Sequence, residues 1–259
     1  MLQATPPIGS SLVFLAVGAA SFVPVARFAQ RWLARPALPA ARWRPGEVLA
    51  IAALPFVLVG LVGKRLAEAS FLEYLLVNEL VFAVTAVLIV VLARRRAHGL
   101  DDLGILRRPS PAAVLAGPLG YVPLFLTMAG VGGLWRRLGE ALGWPTEQEV
   151  LRAMLDLEGG ALVVGAIVAV LIGPLLEELL FRGFLQSVLA RPLGTHGSVA
   201  VTALLFSLLH GRSTLGPLLC LSLYLGWLRA RSGSLWVSWV VHALHNGVNL
   251  ALVLSIGSG

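Results

Sequence analysis

The sequence holds a single cysteine, a single lysine and few charges of either sign. One cysteine excludes an internal disulfide framework and any zinc site built on thiolates. Charged residues are 13% of the 259, against roughly 25% in an ordinary soluble domain. That shortage excludes disorder, a long coiled coil and a water-soluble enzyme with a polar shell. No internal repeat stands out, and no low-complexity tract beyond a general richness in Ala and Leu. The first apolar run lacks a preceding basic region, so no cleaved signal peptide is expected. What fills the chain is apolar: 58% of its residues are hydrophobic, in runs that reach the ~20 residues a helix needs to cross a bilayer. The chain reads as an all-α, polytopic membrane protein.

Eight spans are expected, at about 8–26, 48–63, 71–93, 111–134, 161–189, 198–211, 214–228 and 234–256. The sixth and seventh are short, and their boundary near Gly211–Leu215 is the least defined. With the N-terminus outside, the loops 27–47, 94–110, 182–197 and 229–233 carry fourteen of the twenty basic residues. The opposite side has the loop 135–160 with five acids. By the positive-inside rule both termini lie outside. The net charge of +7 therefore orients a membrane protein and points to no nucleic-acid partner. Arg in place of Lys, with abundant Ala, suits GC-rich codons, so a bacterial cytoplasmic membrane is the expected location. Pro24, Pro55 and Pro174 fall inside spans, where neighbouring helices can satisfy the freed carbonyls.

Before the fifth span, Thr146 and Glu149 have the spacing of a capping box. Val150, Leu151, Met154 and Leu155 then share a face, as in an amphipathic helix lying on the outer membrane surface. A substrate-contacting lid is the alternative.

Ionisable residues inside apolar spans are the informative anomaly, because each costs roughly 2.5–3.5 kcal/mol on insertion scales and so faces the bundle interior or a wet cavity. Glu177, Glu178 and Arg182 lie in the fifth span, His210 ends the sixth, and His242, His245 and Asn246 lie in the eighth. Glu178 and Arg182 are four apart and can pair on one helix face. Glu177 is rotated about 100° away and is left to face a cavity. His242 and Asn246 share a face; His245 shares one with Asn249 instead. Three spans can thus offer Glu177, His210 and the His242/Asn246 pair to one buried point. Such a set fits peptide hydrolysis, with a poorly solvated carboxylate as general base on water and imidazole and amide donors for an oxyanion.

Glu177-Glu178-x-x-x-Arg182, Phe206-x-x-x-His210 and His242-x-x-x-Asn246, in that order on hydrophobic helices, resemble the three motifs of the CPBP intramembrane proteases. That family includes the eukaryotic prenyl-protein (CAAX) endopeptidases and the bacterial Abi proteins. Any one motif is weak; the three together are specific. The resemblance covers about 160–256, and Leu103–Pro109 looks like the short linker such proteins carry upstream. It divides the chain into N-terminal spans with basic loops, 1–110, and a protease-like core, 111–259, with its motifs within 173–246. It implies Glu177 as general base or metal-associated carboxylate, supported by Glu178 and Arg182. His210 would activate water with Glu177, and His242 with Asn246 would form the oxyanion site. Glu177, His210 and His242 could instead hold a catalytic zinc with an open position. The His-Glu-x-x-His signature is absent, and Asn246 beside His242 favours the metal-free alternative. A prenylated tail is not expected in a bacterium; the relatives include bacteriocin-processing, self-immunity and myxosortase branches.

The implied partners are the lipid bilayer and a membrane-anchored protein or peptide substrate, with the oligomeric state open. Two other functions fit a buried carboxylate: a catalytically silent scaffold or immunity protein of the same fold, and a proton-coupled transporter. Plainer roles apply to other residues. Glu178 and Arg182 suit an ion pair stapling helices, and His245 an interhelical hydrogen bond or a lipid-facing position. His98 and His196 suit solvated loops. Glu73, Asn78 and Glu79 could line the cavity or lie at an interface. Cys220 reads as a small buried hydrophobe, and Trp236 and Trp239 as an interface belt.

Overall fold

The computed structural model describes residues 7–33, 38, 43–66, 68–96, 99–144 and 153–257. Among them no strand occurs. The helices are α1 (Ile8–Ala29), α2 (Pro45–Leu66), α3 (Phe71–Arg94), the single turn α4 (Gly99–Asp102), α5 (Pro111–Ala141), α6 (Gly159–Leu209), α7 (Leu215–Ser232) and α8 (Leu235–Gly257). The protein is an all-α, multi-pass membrane bundle. Six helices, α1, α2, α3, α5, α6 and α8, are long and apolar enough to cross a membrane. The count differs from eight for a local reason. The expected fifth and sixth spans are two limbs of α6, hinged at Gly194, whose φ of 66° and ψ of 179° are non-helical. The expected seventh is α7, which carries Arg229 and Arg231 in its last turn and is not among the six.

Burial is inverted relative to a soluble protein. Leu61, Leu49 and Phe56 are at least 70% exposed, whereas Glu178, Arg182, Gln186, Ser222 and Arg229 are fully buried. Outward apolar side chains meet lipid, and the interior collects the polar groups that must find partners there.

The starts of α3 and α5 are set by side-chain caps. Ser70 accepts from Glu73 N–H at 3.4 Å while the Glu73 carboxylate accepts from Ser70 N–H at 2.8 Å, a capping box that fixes the entry to α3. Glu73 is thereby a capping residue. Ser110 accepts from Ala113 N–H ahead of Pro111, the first residue of α5. The docking of α1 on α5 depends on glycine on both sides. A methyl at Gly18 would overlap the Thr127 backbone, and one at Gly130 would overlap that of Leu15. Small residues let the two backbones approach, as membrane helix pairs require.

The four basic loops meet at one end of the bundle. Arg96 pairs with Glu47 and stacks 4.0 Å over the Trp43 ring, which packs edge-on against Phe184. Arg229 donates to the Asp102 carbonyl at 2.8 Å, and Leu38 packs with Ala190 and Ala230. The segment 103–108 is threaded into this end: Leu103 is fully buried, and the carbonyls of Gly104, Ile105 and Arg107 accept from Leu235 N–H, Trp236 Nε1 and Ser234 Oγ. Trp236 is thus a strut between that segment and α8, and Trp239 donates across to the Leu171 carbonyl at 3.1 Å. Cys220 is half-buried against the α5–α7–α8 core. His196 is exposed near the Gly194 hinge.

The capping box expected at Thr146 and Glu149 lies outside the described residues, as do Val150, Leu151 and His98. Met154, at the end of that stretch, is buried and packs over Gly165 of α6.

Candidate active site

The first limb of α6 (159–193) is not a uniform helix. Two π-helical stretches, Val168–Ile172 and Leu179–Leu185, flank the short α-helical segment Gly173–Glu178. Such wide turns recur at functional sites because they free backbone groups and re-aim side chains. Here the cause is legible. Pro174 has no N–H, and the N–H of Gly173 is committed to the Val168 carbonyl. The Ala169 carbonyl is therefore left without a helical partner, and Asn246 Nδ2 of α8 donates to it at 2.8 Å. Asn246 thus ties α8 to the widened turn just before Glu177.

Glu177 and Glu178 diverge as helix geometry requires. Glu178 is fully buried and pairs with Arg182 at 2.8 Å. Arg182 also donates to Ser222 Oγ of α7 at 2.8 Å and lies 4.5 Å over the Phe206 ring. The interhelical staple is real, and it has a further member: His242 Nδ1 donates to Glu178 Oε1 at 3.0 Å. Glu177 keeps 19% of its side chain exposed. His210 Nε2 stands 3.6 Å from its Oε1 and His242 Nε2 stands 3.5 Å from its Oε2. The structure therefore brings together the three residues that the sequence placed on separate spans.

Both imidazoles are oriented from behind. A carbonyl only accepts, so the 2.7 Å contact between His210 Nδ1 and the Phe206 carbonyl puts a hydrogen on Nδ1. The Glu178 carboxylate does the same for His242. Each ring then presents Nε2 to Glu177. Phe206 wedges between them, 4.3 Å from the His210 ring and 5.7 Å from the His242 ring. Lone pairs facing one another at 3.5–3.6 Å need hydrogens between them, which a water molecule or a protonated imidazole supplies.

The donor chemistry, one carboxylate and two imidazoles, suits zinc, which would need all three about 2 Å from one point. The imidazoles approach opposite oxygens of Glu177, and among the described residues no three His, Cys, Asp or Glu side chains gather as a metal-holding group.

Residues 159–248 match the family model described as type II CAAX prenyl endopeptidase Rce1-like. Over this stretch the chain is similar to the Rce1-like domains of the CPBP protease family. The stretch runs from the start of α6 into α8 and contains all three motifs, so the resemblance read from Glu177, His210 and His242 holds. No curated protein and no solved structure matches the chain.

His245 points away from the domain's carboxylates. Its Nδ1 meets Tyr121 OH of α5 at 3.1 Å, the interhelical bond expected of it, and Asn249 packs on the same ring. Ser222 and the wedge role of Phe206 were not legible in the sequence. A lone serine on an apolar helix has no distinguishing signal, whereas Phe206 stood within the second motif. Glu79 of α3 does border the site: its carboxylate lies against Gly173, one turn before Glu177.

Proposed function

We propose that the protein is an intramembrane endopeptidase that hydrolyses a peptide bond with water activated by Glu177 and His210. The observation that carries this reading is the convergence of two Nε2 atoms on one carboxylate, each ring held by an acceptor on its far side. Glu177 and His210 accept the two hydrogens of one water, leaving its lone pair for the substrate carbonyl carbon. As the oxygen adds, Glu177 takes a proton. His242, carrying hydrogens on both nitrogens with Glu178 behind it, donates from Nε2 to the developing oxyanion. Asn246 spends one amide hydrogen on Ala169 and keeps a second for the same oxyanion. Collapse of the tetrahedral intermediate breaks the C–N bond, and Glu177 returns the proton to the leaving amine. Water and a peptide bond are consumed; a carboxylic acid, which keeps the second water proton, and an amine are produced.

In this reading the water is activated without tightly bound zinc, the substrate is a membrane-anchored protein or peptide, and the protein works in a bacterial cytoplasmic membrane. The test is N- and C-terminal proteomics of a deletion strain complemented with wild-type protein or with Glu177→Gln. Protein termini that appear only with the wild type support proteolysis. Identical termini in the two strains overturn it.

A further inference from the structure

Among the described residues, Glu79 is the carboxylate beside the site that has no cationic or imidazole partner. Its Oε1 receives only a long hydrogen bond from Asn78 Nδ2 at 3.4 Å, and its Oε2 is buried without a partner. Glu177 has His210 and His242, and Glu178 has Arg182 and His242. An unpaired carboxylate inside a membrane bundle is costly, and such residues mark places where a ligand or ion is met.

The position of this carboxylate says which ligand atoms it would meet. A methyl at Gly173 would stand 3.1 Å from Glu79 Oε1, so the glycine leaves the room in which the carboxylate lies. Gly173 and Glu177 are four residues apart on one face of α6, about 6 Å along the axis at 1.5 Å per residue. The Glu177 side chain leans back toward Gly173, so Glu79 lies within one helical turn of the proposed base, on the face that carries it. An extended peptide advances about 3.3 Å per residue, so that offset corresponds to at most roughly two residues of substrate.

We infer that Glu79 receives a basic side chain, arginine or lysine, located within about two residues of the scissile bond, and thereby determines which sequences are cleaved. The inference rests on Glu177 being the base of a protease. The excess carboxylate is neutralised by the substrate's own cation, which the site's internal pairs leave unmatched. Arginine fits well because its guanidinium can satisfy both carboxylate oxygens at once.

The experiment uses the full chain in detergent micelles and has two arms. The first measures binding to the Glu177→Gln protein, which removes turnover from the readout. The probes are fluorescein-labelled apolar decapeptides in which one position at a time is arginine or citrulline, its uncharged isostere. At one or two adjacent positions the arginine peptides should bind at least tenfold more tightly, and adding Glu79→Gln should reduce that ratio to within twofold. Glu79→Asp, which keeps the charge, should retain part of it. The second arm measures turnover with Glu177 intact: Glu79→Gln should raise KM for arginine peptides by about the same factor, and Glu79→Arg should move the preference to glutamate at that position. Equal binding of arginine and citrulline peptides, a preference that survives Glu79→Gln, or no binding of any arginine peptide overturns the inference. A uniform fall in kcat for all peptides also overturns it, since that would make Glu79 a proton-transfer group. Failure of the wild type to cleave any peptide would defeat the protease reading, while the binding arm would still decide the role of Glu79.

Discussion

The Glu178 carboxylate holds His242 by its Nδ1 at 3.0 Å, and this contact turns Nε2 of the same ring to within 3.5 Å of Glu177. Two adjacent glutamates thus act on opposite sides of one imidazole, Glu178 from behind and Glu177 from the open side. Glu178 is itself held by Arg182, which Ser222 and Phe206 position from α7 and the second limb (195–209) of α6. A carboxylate behind a working histidine sets its tautomer and ring angle, as acceptors behind catalytic and metal-bound imidazoles commonly do.

Removing the carboxylate behind the ring should damage stability first. Glu178→Gln leaves Arg182 buried without its charge partner, and breaking such a pair costs about 3–5 kcal/mol. Thermal melts in one detergent should therefore place Glu178→Gln and Arg182→Ala below Glu177→Gln. Equal melting temperatures for all three would show that Glu178 and Glu177 do not divide the work in this way.

Removing the groups around the water should damage rate first. Glu177→Gln, His210→Ala and His242→Ala should each lower kcat by about 10²-fold or more, the scale of a lost general base or oxyanion donor, while the protein still inserts. A loss of only a few-fold in all three, measured on one peptide substrate, would count against the mechanism.

Asn246 has a structural task separable from its chemical one. Asn246→Ala strands the Ala169 carbonyl, a buried-acceptor defect of about 1–3 kcal/mol, and removes the proposed oxyanion donor as well. Pro174→Ala supplies the missing N–H at the next possible helical partner. The double variant should recover much of the lost melting temperature without recovering kcat. A double variant no more stable than Asn246→Ala would mean that the proline is not what frees the carbonyl.

Metal content tests the water-activation step directly. Purified, active protein should contain well under one equivalent of tightly bound zinc by elemental analysis. Stoichiometric zinc, lost with activity on chelation and regained with it on readdition, would replace the two-residue activation of water by a metal-centred one.

The placement of the site across the membrane is also measurable. His210 is sixteen residues beyond the Gly194 hinge, about 24 Å of helix from it at 1.5 Å per residue. The basic loops gather at the hinge end. In a Cys220→Ser background, Ser213→Cys should react with a membrane-impermeant maleimide added outside intact cells, and His196→Cys should react only after permeabilisation. The opposite pattern would reverse the orientation expected from the basic loops.

Helix class and membrane setting were legible from composition and run length alone, because bilayer thickness and the need to pair every backbone group leave few alternatives. The candidate site was legible too, since an ionisable residue in an apolar span is conspicuous and i,i+4 spacing tells which neighbours share its face. Less visible was how many spans there are. Gly194 lets the chain double back within 159–209, so that two expected spans are limbs of one hinged element.

The sequence by itself put Glu178 within reach of Arg182 and turned Glu177 elsewhere, because i,i+4 neighbours share a face and adjacent residues on a helix do not. Tertiary structure alone decided what each then meets. That His242 sits between the two glutamates, that Asn246 answers a carbonyl freed by Pro174, and that Glu79 fills the space above Gly173 are relations between helices distant in the chain. Local periodicity says which face a side chain occupies; only the packing of α3, α6 and α8 says which other face lies opposite.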